Sequence, residues 1–275
     1  MTLQQKYYEF MCHLHETVLG LVESLHFDKK HPWHLHLVLL YGTMIELLGS
    51  ACILIREGVP MGVPILLRSA LEADLDFMIL AKERRYGYHI RAAELHEWIR
   101  ILREAKKRQN PFLSGIAQIP NLEEVLVHWQ TELSELKEKG FGPLKQKQKF
   151  HRAELEPVYR SFYNFLCCHS HNNIRALVSR HIDIAADRKD FQVEYYAPVK
   201  LDALLPYIDS FCGIIVSSTE TIHRILQSDS TDRVDALKKE LDEQRRQILT
   251  EQLTPADGLQ PPLISGVRRE REAKV

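Results

Sequence analysis

The sequence predicts an all-α fold, a multi-helix bundle with a central apolar helix, and three observations predict it. Apolar residues recur at helical spacing along most of the 275 residues, the stretch from Leu35 to Arg56 is apolar on nearly every face, and Pro, Gly and Asn fall where helices would end. With 45% apolar side chains, a chain of this length buries a core that needs neither disulfide nor metal.

Taken in order, residues 3–27 place Tyr7, Phe10, Met11, Leu14, Val18, Leu21, Val22 and Leu25 on one face of a first helix, which His31-Pro32 breaks. The apolar Leu35–Arg56 helix should be surrounded by others, and Gly58-Val59-Pro60 ends it. A third helix, Met61–Glu83, tolerates Pro64 in its first turn and should bury Ile65, Leu66, Ala70, Leu71, Leu75, Met78 and Ile79. Tyr88–Arg108 mixes Leu95, Trp98, Ile99 and Leu102 with many charges, which predicts a partly exposed helix stopped by Asn110-Pro111. Asn121 is placed to cap the helix Leu122–Lys139, and Glu123 and Glu124 suit its positive end.

Lys145–Arg152 is basic, and reads as a mobile loop or a helix start. A helix over Val158–Ser170 is interrupted at His171-Asn172-Asn173, because Asn competes with helical hydrogen bonds; Ile174–His181 resumes it. The stretch 182–199 reads as a long loop or small hairpin, and Leu201–Gln227 as an apolar helix that closes the core. Asp229-Ser230-Thr231-Asp232 offers caps for a charged helix, Arg233–Leu253, whose Val234, Leu237, Leu241 and Ile248 form a narrow stripe for the body or a partner chain. The expected organisation is a helical bundle over 1–228, the charged helix over 229–253 and a disordered Pro/Gly-punctuated tail over 254–275.

Charge and motifs narrow the function classes. Lys+Arg at 36 against Asp+Glu at 37 gives a net charge of -1, so no global field attracts nucleic acid and any such contact must be local. Five cysteines without a CxxC pair indicate free thiols in a reducing, cytoplasmic setting and argue against structural zinc. His13, His15, His31, His34 and His36 lack supporting carboxylates at metal-ligand spacing, so no metal and no cofactor is expected. Phosphate-loop, nucleophile-elbow and dinucleotide signatures are absent. The N-terminus lacks the order of a secretory signal, and the apolar stretch near Leu35–Ile55 reads as a core helix rather than a membrane span.

Three groups of residues carry candidate chemistry. His169, His171, Asn172 and Asn173 cluster where a helix bends, so imidazoles and free amides there could hold a phosphate, with His171 as acid or base; capping by Asn172 or Asn173 is the structural alternative. Arg68 and Glu72 lie one turn apart in an otherwise apolar helix and need an inward partner: a phosphate, an active-site carboxylate or each other. Arg175 and His181 form an R-x5-H arrangement with Arg180 beside the histidine.

The helix RSALEADLDFMIL together with YNFLCCHSHNNIRAL resembles a bacterial all-helical family of unknown function that carries an Arg-x3-Glu helix and a Leu-Ser-x3-His motif. Arg68 and Glu72 match the first motif, Leu166 and His171 the second, and Cys167 stands at the Ser position. The Arg175/His181 spacing is distantly similar to the motif of HEPN ribonucleases. The family resemblance implies a helical core with an Arg/Glu/His cluster and brings no activity with it; the HEPN likeness implies binding of nucleic acid or nucleotide phosphate at Arg68, Glu72, His171 and Asn172, and a metal-independent ribonuclease in bacterial defence. Two rivals stand beside it: a non-catalytic module that oligomerises or binds protein through residues 233–253, and a small-molecule sensor. A homo-oligomer is expected, with RNA or nucleotide as ligand and no membrane.

Overall fold

Thr2 opens the first helix by accepting from Gln5 N at 3.2 Å, and α1 (Leu3–Val22) follows. The computed structural model describes residues 1–171, 173–184, 191–196, 199–228 and 230–253. Pro32 begins α2 (Pro32–Arg56), at a position where a helix has no use for the missing N–H. A 3-10 turn over Pro60–Gly62 leads into α3 (Val63–Lys82), with Pro64 near its start.

The molecule is an all-α bundle, and α2 and α3 form its middle. Leu37, Tyr41, Met44 and Leu48 of α2 are fully buried, as are Val63, Leu67, Leu75, Phe77 and Leu80 of α3. The surroundings of α2 differ from expectation: Leu35, Leu39 and Ile53 stay 45%, 57% and 50% exposed, because α1, α3 and α10 (Leu201–Leu226) cover one side of it. On α3, Ile65 faces outward at 39%, and the unforeseen Leu67 and Phe77 are the ones buried. Pro32–Arg56 and Leu201–Leu226 are both long and apolar enough to cross a membrane, and both contribute buried residues to the bundle.

Next come α4 (Gly87–Lys106) and α5 (Leu122–Glu138), which pack on each other around a core of their own, including Leu95, Ile99, Leu102, Leu126, Leu133 and Phe141. Asn121 does not cap α5 with its side chain. It adopts a left-handed conformation, φ 60°, which Asn tolerates better than most residues. The basic stretch forms α6 (Gln146–Arg152), anchored by the fully buried Phe150. A short α7 (Glu156–Val158) runs through a π-helical turn, Tyr159–Tyr163, into α8 (Asn164–Ser170).

After the junction come α9 (Ile174–His181) and a hairpin, β1 (Ile182–Ile184) antiparallel to β2 (Phe191–Val193), with Ile182 opposite Val193. α10 then crosses the bundle, and α11 (Thr231–Leu253) packs on α10 and α1. Val234, Leu237 and Leu241 of α11 are buried in the main core, so the stripe that could have met a partner chain is spent within this one. The expected tail over 254–275, Asp229 and the site candidate Asn172 lie outside the described residues.

Candidate functional site

Two polar clusters border α3. The first runs along its length, where Arg68, Glu72 and Asp76, four residues apart, share one stripe facing α6 and α8. Arg68 Nη2 pairs with Glu72 Oε1 at 3.0 Å, with the two side chains 23% and 30% exposed. Tyr163 donates its hydroxyl to Glu72 Oε1 at 2.7 Å, and the Arg68 guanidinium sits 5.6 Å from the Tyr163 ring centre. Burial pushes the Tyr163 pKa up, which keeps the phenol protonated and able to donate. One turn further, Asp76 accepts from Lys149 Nζ at 2.8 Å and from the Tyr86 hydroxyl at 2.5 Å. In this seam each carboxylate meets a cation and a tyrosine, although Arg68 Nε is buried without a hydrogen-bond partner.

The second cluster lies at the N-terminal end of α3. A cleft of about 670 Å³ opens between Pro60, Met61 and Pro64, the helices α8 and α9, the end of the hairpin and the start of α10. Into it come His169 from α8, Arg180 and His181 from α9, Tyr195 and Tyr196 after β2, and Lys200 and Tyr207 around the first turns of α10. None of the described residues lining it is acidic.

Local structure positions each imidazole. Asn173 ends the irregular junction by accepting from Arg175 N at 3.0 Å, so it caps α9 and fixes where that helix starts. His181 is the last residue of α9. Its carbonyl accepts from Glu194 N at 2.8 Å, and its Nδ1 lies 3.1 Å from Glu194 O. A carbonyl can only accept, so Nδ1 carries the proton and Nε2 is the free nitrogen of the neutral ring. His169 packs edge-on against Phe165 with ring centres 5.1 Å apart, and its Nδ1 is buried without a partner. Burial first, and then the charge of Arg180, push the His169 pKa down. Arg180 Nε is also buried and unpartnered.

The residues singled out in the sequence divide between these places. His169 and His181 line the cleft; Arg68 and Glu72 belong to the seam. His171 is exposed past the end of α8, its N–H bonded to Cys167 O at 3.1 Å, and among the described residues no hydrogen bond or ion pair joins it to Arg68 or Glu72. Arg68 and Glu72 pair directly with each other, and Glu72 also accepts from Tyr163, so the contacts of this guanidinium and carboxylate are made within the seam. Arg175 is exposed and outside the cleft; six residues at about 100° each set it roughly 240° around α9 from His181. Arg180 takes the place beside His181 instead.

Lys200 and the three tyrosines were missed, although the Tyr195-Tyr196 pair in the alternating stretch FQVEYYAPV was a visible signal. Tyr163 was missed as the partner of the seam. Among the described residues, no group of three or more His, Cys, Asp or Glu side chains is arranged to hold a metal ion. Neither the curated proteins nor the solved structures contain a significant match to the chain. A family model does match, over residues 34–190, a span that includes His169, Arg180 and His181 but stops short of Lys200 and Tyr207; the chain belongs to this family of unknown function, DUF5677.

Proposed function

We propose that this protein binds the phosphate of RNA or of a nucleotide in the His169/Arg180/His181/Lys200 cleft, and that it cleaves RNA without a metal. The carrying observation is the imbalance of charge: side chains able to bear positive charge arrive from α8, from α9 and from the residue that precedes α10, and no described lining residue is acidic. Elsewhere such a grouping would repel itself, and an anionic ligand relieves that repulsion. Tyr195, Tyr196 and Tyr207 add faces on which bases can stack.

The chemistry follows from the two imidazoles. His169, held neutral by burial and by Arg180, takes the proton from a ribose 2′-hydroxyl as its oxygen attacks the adjacent phosphorus. The bond from phosphorus to the 5′-oxygen breaks, and protonated His181 gives that oxygen a proton through Nε2. The products are a 2′,3′-cyclic phosphate and a 5′-hydroxyl, and no electron leaves or enters the system. Arg180 and Lys200 offset the charge on the phosphoryl oxygens in the transition state. This is the reaction class of the HEPN resemblance, with Arg180 rather than Arg175 as the arginine beside His181. A cytoplasmic location suits an RNA ligand and the five free cysteines. A role in bacterial defence comes with the resemblance alone.

Incubation of end-labelled RNA with the protein, with and without chelator, tests the reading. Chelator-insensitive cleavage that ends in cyclic phosphate, lost in His169→Ala and in His181→Ala, is the expected result. Cleavage retained in both variants removes the proposed chemistry. Binding with no cleavage leaves an anion-binding cleft, which is the sensor reading.

A further inference from the structure

A separate recess lies at the opposite end of α3, where a 3-10 turn over Arg84–Tyr86 passes the chain into α4. This groove, about 420 Å³ in volume, lies between the first turn of α2, with Trp33 and His36, and the turn itself, with Arg84, Arg85, Gly87 and Tyr88. Nothing in the cleft reading uses these residues.

Three observations point to its ligand. First, Arg84 and Arg85 have aromatic rather than acidic neighbours: Arg84 lies 4.8 Å from the Trp33 ring centre and Arg85 4.9 Å from that of Phe141. Neighbouring Arg91, also at the groove edge, is neutralised by Glu132 at 2.8 Å and Glu94 at 3.0 Å, and Arg152 by Glu83. The pair at 84 and 85 is thus the uncompensated charge of this groove, and none of its described lining residues is acidic. A guanidinium stacked on an aromatic ring keeps its edge donors free for phosphate oxygens.

Second, Tyr88 is 51% exposed at the groove, and with Trp33 it offers an aromatic surface on which a flat ring can lie. Third, His36 Nδ1 is buried with no hydrogen-bond partner. A Cβ added at Gly87 would lie 3.7 Å from that nitrogen, in ordinary contact, so the glycine stands next to it in the groove wall. A buried polar atom left unpaired is costly, and a ligand group that reaches it recovers the loss.

From this geometry we infer that the groove is a nucleotide-binding site, with the phosphate on Arg84 and Arg85 and the base against Trp33 and Tyr88. The same chemistry is offered by a free nucleotide and by a nucleotide within single-stranded RNA. The site stands independently of the cleft at the other end of α3.

Trp33 reports occupancy directly, in a chain in which Trp98 and Trp129 are replaced by Phe. Adenosine triphosphate and a short oligoadenylate are titrated in separate arms, with inorganic triphosphate as control. Saturable quenching by either nucleotide ligand is expected, and the tighter of the two identifies the source. Arg84→Ala/Arg85→Ala should weaken it by about tenfold or more, since two charge-assisted contacts are lost. Gly87→Leu, which adds a bulky side chain to the groove lining beside His36, should abolish it, while Arg180→Ala/Lys200→Ala should leave it unchanged. The arginines are exposed and the double variant should keep its far-UV spectrum and melting temperature. Absence of saturation with both nucleotide ligands, equal quenching by inorganic triphosphate, or indifference to the Arg84/Arg85 changes overturns the assignment. Because the cleft variants are scored in the same assay, failure here is separable from failure of the cleavage reading.

Discussion

The two polar clusters along α3 are built from similar residue types and are arranged in opposite ways. In the seam, Arg68 pairs with Glu72 and Lys149 with Asp76, and the two carboxylates accept from the hydroxyls of Tyr163 and Tyr86. In the cleft, His169, Arg180, His181 and Lys200 gather without an acidic neighbour among the described lining residues. A balanced cluster has satisfied its electrostatics within the fold, so its work is to brace α3 against α6 and α8. An unbalanced one has a demand that the fold leaves unmet, and a ligand can meet it. Charge balance, rather than the presence of arginine and histidine as such, separates the two roles.

The largest test of this contrast is catalytic. Removal of His169 or His181 should cut RNA cleavage by about 10²- to 10⁴-fold, the usual worth of a positioned acid or base, while Arg68→Ala leaves the rate of folded protein near that of the wild type. The acidic limb adds a sign. His169 works as the neutral base and its pKa is lowered, so cleavage should persist to a pH below the ordinary imidazole range before it falls. A limb displaced upward would contradict the assignment of the base.

Asp74 offers a middle case, a carboxylate in the core with a single described hydrogen bond, from Ser218 Oγ at 2.9 Å. Burial raises its pKa to about 6, so the folded chain holds that proton more tightly than the unfolded chain does. Stability contributed by this group is therefore greatest in acid and declines as pH rises from the ordinary carboxylate range to about 6. The difference in unfolding free energy between Asp74→Asn and wild type should move in favour of the variant by about 2 kcal/mol between pH 4 and pH 7. Urea unfolding measures it, and a difference that does not vary with pH removes the buried-charge account.

The smallest effect belongs to the seam. A double-mutant cycle on Arg68 and Glu72 should give a coupling of about 1 kcal/mol, modest because both side chains retain solvent contact. RNA affinity should not change in any corner of the cycle. A loss of affinity in Glu72→Ala without a loss of stability would move the seam into the functional class and dissolve the contrast.

Much of the helical order was legible because each helix carries its own period. The end of α8 at Ser170 and the cap at Asn173 could be read from the local chemistry of Asn alone. Periodicity says which side of a helix is apolar, but it does not say which helix will meet it. This is why Leu35 and Leu39 of α2 remain exposed and why Tyr163 could not be named as the partner of Arg68 and Glu72. The same gap explains the arginine beside His181: the linear motif points to Arg175, and the turn of α9 brings Arg180 to the cleft. Lys200 reaches the cleft from beyond the hairpin, a placement that no spacing rule encodes.

The helices α4 and α5 bury Leu95, Leu133 and their neighbours in a cluster apart from the main core. Such a pair forms a separate cooperative unit, so amide protons in it should exchange through partial openings that leave the bundle intact. At the joint, His89 Nδ1 meets Gly142 O at 2.7 Å, and the Trp33/Arg84 recess spans the same seam between units. Whatever fills that recess grips both units at once, and part of its affinity would appear as slower exchange along α4 and α5, far from the point of contact.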